Sequence, residues 1–302
     1  MRTISEFINL RKSLSAVFAT LFLCLAVLIF AGCGNDDGSK AKAFRLGIIP
    51  SENAQETQKS FAPLVSYLEK TMNVKIEASV ATDYNAVVEA MRAGHLDAAM
   101  FGPFSYVMAN ERAGAQVVVA RVGVTGLPTY KSYIYTRSDS GINSLQDLKG
   151  KSFAFTDPGS ASGYLIPSKV FLDNKMSSKD FSSTIYTNGQ DASVLAVKNK
   201  SVDAACGDEM TWERSISAGI VGKDELKILA SADIPQSPFA VSKDISPEMK
   251  KKFVDAMLKV GKEAPETLKP LKAKGYVETT DDNYKIIRDT AKALNLDLSK
   301  MK

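Results

Sequence analysis

Histidine and cysteine are nearly missing from this 302-residue chain, which has one of the first and three of the second. Cys24 lies in an apolar N-terminal run and Cys33 at its end, so only Cys206 belongs to the folded part and no disulfide can form within it. One imidazole and one thiol cannot build the usual zinc or Cys–His catalytic sites, so neither a metal nor a cofactor is expected. His95, in the Gly94-His95-Leu96 turn, reads as a surface histidine, and Cys206 as a small buried hydrophobe. Its closeness in sequence to Asp208 leaves a thiol-seeking oxyanion such as arsenite open. An excess of one charge is lacking too: 38 basic and 34 acidic residues give +4, no electrostatic footprint for nucleic acid. The one serine- and glycine-rich turn lacks the lysine of a nucleotide-binding loop. A nucleophile elbow would place its serine at Ala161, so a non-enzymatic protein is expected.

What is present begins with Arg2, Arg11 and Lys12 ahead of an apolar run from about Ala16 to Phe30, then Ala31-Gly32-Cys33 and a polar spacer. Small residues before a cysteine resemble a bacterial lipoprotein signal, with processing and acylation at Cys33; an uncleaved anchor is the alternative. Either way the folded part is expected outside the cytoplasmic membrane, periplasmic or on the outer face of the cell membrane, and in the first case held there by the N-terminal lipid.

The remainder alternates short apolar runs with helical patterns, which argues for α/β architecture with a parallel sheet flanked by helices. Val87 to Gly102 (VVEAMRAGHLDAAMFG) is echoed by Ser193 to Asp208 (SVLAVKNKSVDAACGD), and Phe44 to Pro50 by Ser152 to Pro158. Two similar α/β lobes are therefore expected. The boundaries are a signal at 1–33, a linker at 34–43, lobe one at 44–135 plus 243–302, and lobe two at 136–242. Tyr133-Ile134-Tyr135 and Phe239 to Ser242 are the candidate hinge strands, and the lysine-rich pattern from Ser246 is expected to end the chain in helices on lobe one.

Phe153 to Pro167 reads as strand, turn and helix, with Ser160 and Ser162 at the helix start. Unpaired N–H groups and the positive end of the helix dipole gather there, which suits a small oxyanion; a plain N-cap is the other reading. In open α/β sheets ligands sit at strand ends. Lobe one offers Ser51, Asp83-Tyr84 and the turn with Ser105 and Tyr106. Lobe two offers Ser160 to Gly163, Gln190-Asp191 and Asp208-Glu209, with Tyr84 and Gln190 at equivalent positions of the echo.

Asp83-Tyr84, Phe101-Gly102-Pro103 with Ser105-Tyr106, Asp139-Ser140-Gly141-Ile142, Ser144 to Lys151 and above all Asp157-Pro158-Gly159-Ser160-Ala161-Ser162-Gly163-Tyr164 occur in an order that resembles the periplasmic phosphate, phosphite and phosphonate-binding proteins of ABC importers, the PhnD family. The resemblance implies a type II periplasmic-binding-protein fold: two α/β lobes joined by hinge strands, closing on a ligand in the cleft between them. It implies a small phosphorus oxyanion as ligand, a transmembrane ABC permease with its ATPase as partner, a monomer, and no chemistry on the ligand. Carried over by position, Ser160, Ser162 and the backbone from Ala161 to Gly163 would hold the phosphoryl oxygens, with Tyr84 and Tyr106 closing from lobe one and Ser51, Ser105 and Gln190 nearby. The family has Ser-Thr-Ser where this chain has Ser160-Ala161-Ser162, and a histidine where Gln190 stands. Relatives that bind aminophosphonates use carboxylates; here Asp191, Asp208 and Glu209 are candidates, while Ser237 replaces a second acid. An aminoalkyl ligand is accordingly disfavoured, and phosphate, phosphite and short alkylphosphonates all remain open. A sensory ectodomain for a similar oxyanion is the alternative function.

Overall fold

The computed structural model describes residues 43–50 and 52–301, so the expectations for the signal, for Cys33 and for Ser51 lie outside the described residues. The chain runs through β1 (Phe44–Ile48), α1 (Ala54–Met72), β2 (Ile76–Val80), α2 (Tyr84–Arg92), β3 (Ala98–Met100), α3 (Pro103–Ala113) and β4 (Gln116–Gly123). It continues with β5 (Thr129–Arg137), β6 (Ser152–Phe155), a π-helical turn (Ala161–Leu165) leading into α4 (Ile166–Asp173), β7 (Ser183–Tyr186), α5 (Gln190–Lys198) and β8 (Ala204–Asp208). The last part holds α6 (Glu209–Ser217), β9 (Leu226–Pro235), β10 (Pro238–Val241), α7 (Pro247–Glu263), β11 (Ala273–Glu278) and α8 (Lys285–Ala293).

These strands form two sheets, β11-β4-β10-β3-β1-β2 and β7-β6-β8-β5-β9. Each is parallel where β-α units follow one another and antiparallel where the chain crosses between lobes: β1 pairs β2 and β3 in parallel, whereas β10 runs antiparallel to both β3 and β4. The expected all-parallel sheet is thus a mixed one, because a strand returning from the other lobe enters from the opposite end. The crossings also sit elsewhere than expected. All of β5, Tyr133 to Tyr135 included, pairs with β8 and β9 in sheet two, and Phe239 to Val241 lies in sheet one. Boundaries at 135 and 242 would cut β5 and move β10 into the wrong sheet. The chain passes between the sheets at 124–128 and at Gln236-Ser237, just outside the β-rich residues that pattern alone picks out.

The sequence echo has a structural cause. α2 starts at Tyr84 and α5 at Gln190, and each helix is followed by a left-handed residue, Gly94 (φ 73°) and Lys200 (φ 61°), before the strand. Next comes an aspartate that accepts from a backbone N–H of the neighbouring strand: Asp97 from Arg45 at 2.8 Å, Asp203 from Ser152 at 2.9 Å. The aspartate's own N–H returns a bond to the same residue's carbonyl, at 2.9 and 3.2 Å. This reciprocal clamp sets the register of β1 with β3 and of β6 with β8, and so aligns the strand ends.

Sheet one is covered on one face by α1 and α7, through Phe61, Leu64, Leu68, Phe253, Met257 and Val260, all buried. Burying each such side chain stabilises by roughly 1.5–3 kcal/mol. Its other face packs on α2, α3 and α8, and this second core continues into lobe two through Ala161, Leu165 and Ile166, so the lobes touch. The C-terminal helices pack as the periodicity indicates, but β11 between them, an edge strand on β4, was not legible. Among the described residues no helix is long and apolar enough to cross a membrane.

Candidate functional site

The carboxyl ends of β1, β3, β6 and β8 face one cavity of about 90 Å³ between the lobes, lined among others by Tyr84, Gly102, Arg121, Tyr130, Ser160, Ala161, Ser162, Gln190, Asp208, Arg214 and Ser237. Several helices begin at its wall. Tyr84 opens α2, Gly102 precedes α3, Ala161 opens the turn into α4, Gln190 opens α5 and Asp208 precedes α6. Each start contributes unpaired N–H groups and a partial positive charge, and their convergence favours an anion.

The serine turn is both a cap and a donor array. Ser160 Oγ accepts from Gly163 N–H at 3.0 Å, and the turn is widened, with Leu165 N–H bonded to Ser160 O five residues back. Gln190 Oε1 accepts from the Asp208 N–H at 3.1 Å, which fixes the amide's orientation. Its Nε2 then donates to Ser160 Oγ and Ser162 Oγ, each at 3.3 Å. Both oxygens thus accept, and each hydroxyl keeps a rotatable O–H that can donate at the cavity wall. Tyr130 lies beside Ser162 and Ser237, and burial pushes the phenols of Tyr84 and Tyr130 up, so both stay neutral donors.

Two polar contacts join the lobes near the cavity. Asp157 Oδ2, in lobe two, accepts from the Tyr84 N–H of lobe one at 3.3 Å, and its Oδ1 from Gly159 N–H at 2.6 Å. Glu52 of lobe one and Arg214 of lobe two form an ion pair at 2.5 Å, and Arg214 also reaches Thr211 Oγ1 at 3.1 Å. Burial holds the Asp157 and Glu52 carboxyls above their ordinary range. Asp208 is fully buried, accepts from the N–H and hydroxyl of Thr211 at 2.7 and 3.2 Å, and is likewise raised, first by burial.

Of the residues singled out in the sequence, Ser160, Ala161, Ser162, Tyr84, Gln190 and Asp208 line the cavity together. Others do not. Gly163 spends its N–H on Ser160, and a Cβ there would come within 2.3 Å of Thr156, so its role is close packing. Ser105 turns back to cap α3, exchanging bonds with the Gly102 N–H and carbonyl. Tyr106 is buried against Tyr284 and donates to Asp281 at 2.5 Å, because its phase on α3 points it at α8 rather than at the cleft. Asp191 and Glu209 bond backbone N–H groups of Ala192 and Lys131 and lie outside the lining. Cys206 packs behind the serine turn, its thiol donating to Gly163 O at 3.1 Å, and burial pushes its pKa well up; it offers the cavity no thiolate. His95 is exposed in the turn after α2. Arg121, Arg214, Glu52 and Tyr130 were missed, since their place in the wall depends on contacts between distant parts of the chain.

Residues 46–284 match the family model described as ABC transporter, phosphonate, periplasmic substrate-binding protein. The chain is 36% identical over 249 residues to a phosphate-import protein of Mycolicibacterium smegmatis, covering 76% of this chain and 78% of that one. It is 34% identical over 241 residues to the phosphonates-binding periplasmic protein of Escherichia coli, covering 78% and 71%. The solved binding-protein component of an ABC phosphonate transporter from Pseudomonas aeruginosa superposes with a TM-score of 0.78 at 28% identity, over 83% of this chain and 85% of that one. The fold is the type II periplasmic-binding-protein fold.

Proposed function

Because the chain belongs to the family of periplasmic phosphonate substrate-binding proteins of ABC transporters, we propose that it captures a small phosphorus oxyanion by lobe closure and delivers it to a permease with its ATPase. The observation that carries this reading is the convergence of five helix starts and the hydroxyls of Ser160, Ser162, Tyr84 and Tyr130 on one cavity between two lobes. Neutral donors prearranged in this way hold an oxyanion without a compensating reorganisation on binding. Asp208 adds selectivity, since a carboxylate beside an oxyanion accepts from a protonated P–OH and so prefers the monoanion to a fully ionised competitor. Phosphonate, phosphite and phosphate all fit this donor set.

Acylation at Cys33 would hold the protein as a lipid-anchored monomer on the outer face of the cell membrane, so that the ligand is released close to the permease. Mass spectrometry of the membrane-extracted protein tests this, an unmodified Cys33 counting against it. For the function itself, calorimetric titration with inorganic phosphate, phosphite and methylphosphonate should give one saturable site for at least one of them; absence of heat with all three would refute the reading. Uptake of that ligand should be lost in a deletion strain. Persistent uptake with loss only of a transcriptional response would point instead to a sensory ectodomain.

A further inference from the structure

The cavity has a second charged pole that the oxyanion reading does not use. Arg121, on β4, stands in the lobe-one wall, near Ser237 and the buried Tyr276 and Tyr130. Its guanidinium is held by neutral groups: Nε and Nη2 donate to Gln236 Oε1 at 3.1 and 3.0 Å, and Nη1 to Leu271 O at 3.2 Å. Gln236 is buried and is fixed in turn by donating Nε2 to Thr129 O at 2.8 Å. Those bonds use three of five N–H groups and leave one on each terminal nitrogen. No carboxylate among the described residues is in ion-pair contact with Arg121. Of the acids lining the same space, Asp208 accepts from Thr211 and Glu52 pairs with Arg214.

The Arg121 guanidinium is partly buried and feels Asp208 and Glu209 only from beyond ion-pair distance, so an anionic group arriving beside it would be favoured. The backbone N–H of Arg121 is bonded to Ser237 O at 3.1 Å, and Tyr130 lies against both Ser237 and Ser162, so the two poles belong to one space. Its volume of about 90 Å³ is room for on the order of half a dozen waters, more than a lone tetrahedral head takes up. Resting on the oxyanion site described above, we propose that Arg121 receives a second anionic group, so that the preferred ligand is a short phosphonate whose substituent ends in a carboxylate. The forked donor suits a carboxylate bidentately, whereas an aminoalkyl substituent would meet like charge.

Titration of the protein with methylphosphonate, 2-aminoethylphosphonate and phosphonoacetate tests this. Phosphonoacetate should bind at least tenfold more tightly than methylphosphonate, and 2-aminoethylphosphonate no more tightly than methylphosphonate. In Arg121→Gln the advantage of phosphonoacetate should shrink at least tenfold, and Arg121→Lys should retain part of it. Methylphosphonate binding with no gain for phosphonoacetate, or a gain that survives Arg121→Gln, would overturn the assignment of Arg121 while leaving the oxyanion site standing. Failure of all three ligands would overturn this proposal, and failure of inorganic phosphate and phosphite as well would overturn the oxyanion site. Should Arg121→Gln melt before binding can be read, the wild-type ranking of the carboxylate against the amine decides alone.

Discussion

Replacing Gly159 with alanine probes closure with a single methyl group. Gly159 is not in the left-handed region, so its backbone accepts alanine, and within its own lobe the added Cβ would meet Asp157 Oδ1 at 3.3 Å. Across the cleft the contact is closer: a Cβ at Gly159 would lie 2.8 Å from the Cβ of Tyr84. Carbon atoms rest at about 3.5–4.0 Å, so the surfaces must part by on the order of 1 Å. Both Cβ atoms are fixed to backbone, so neither can swing aside and the lobes themselves must separate. The 3.3 Å bond from Tyr84 N–H to Asp157 would stretch with them. Overpacking of this kind costs about 1–3 kcal/mol. That corresponds to a dissociation constant raised by roughly fivefold to a hundredfold. Calorimetry with methylphosphonate reads the loss, and small-angle scattering of the ligated protein should report a larger radius of gyration than wild type. The ligand-free melting temperature should change little. An unchanged dissociation constant would refute the reasoning, because it would mean that the ligand-bound form does not bring Gly159 against Tyr84.

Tyr135 has a buried hydroxyl with no hydrogen-bond partner among the described residues, so Tyr135→Phe should leave stability unchanged or raise it by about 1 kcal/mol, read by urea denaturation; clear destabilisation would show a partner at that oxygen. Asp208 binds its proton more tightly folded than unfolded, mainly through burial. Its contribution is therefore fully present below the ordinary carboxylate range and is lost as pH rises through its raised value. In the ligand-free protein Asp208→Asn should accordingly gain melting temperature relative to wild type between pH 4 and pH 7.5, and a difference that stays flat would contradict the raised carboxyl.

Much of the lobe architecture was legible because the echo records a local mechanism: helix, left-handed turn, then an aspartate that clamps the neighbouring strand at Asp97 and again at Asp203. Ser160, Ser162, Gln190, Asp208 and Tyr84 were legible for a related reason, since each sits at a strand end or helix start that local patterning locates. Tyr106 and Ser105 occupy the same kind of position, yet helix phase and back-capping turn them away, and neither is encoded in spacing. Arg121 meets Gln236 over 115 residues, and Glu52 meets Arg214 across the cleft; pairings at that range are set by the packing of the lobes and leave no periodic trace. β11 was missed because Gly275 interrupts its six-residue run, and it is held at the edge of sheet one by pairing with β4.

The central claim is that the serine turn holds the tetrahedral head of a phosphorus oxyanion. Its most direct test is calorimetric titration of methylphosphonate and inorganic phosphate into wild type and into Ser160→Ala/Ser162→Ala, with circular dichroism showing both folded. The account predicts a single site in wild type and affinity weakened by roughly tenfold or more in the double variant, from two lost charge-assisted hydrogen bonds. Binding of equal strength in the two proteins would contradict it.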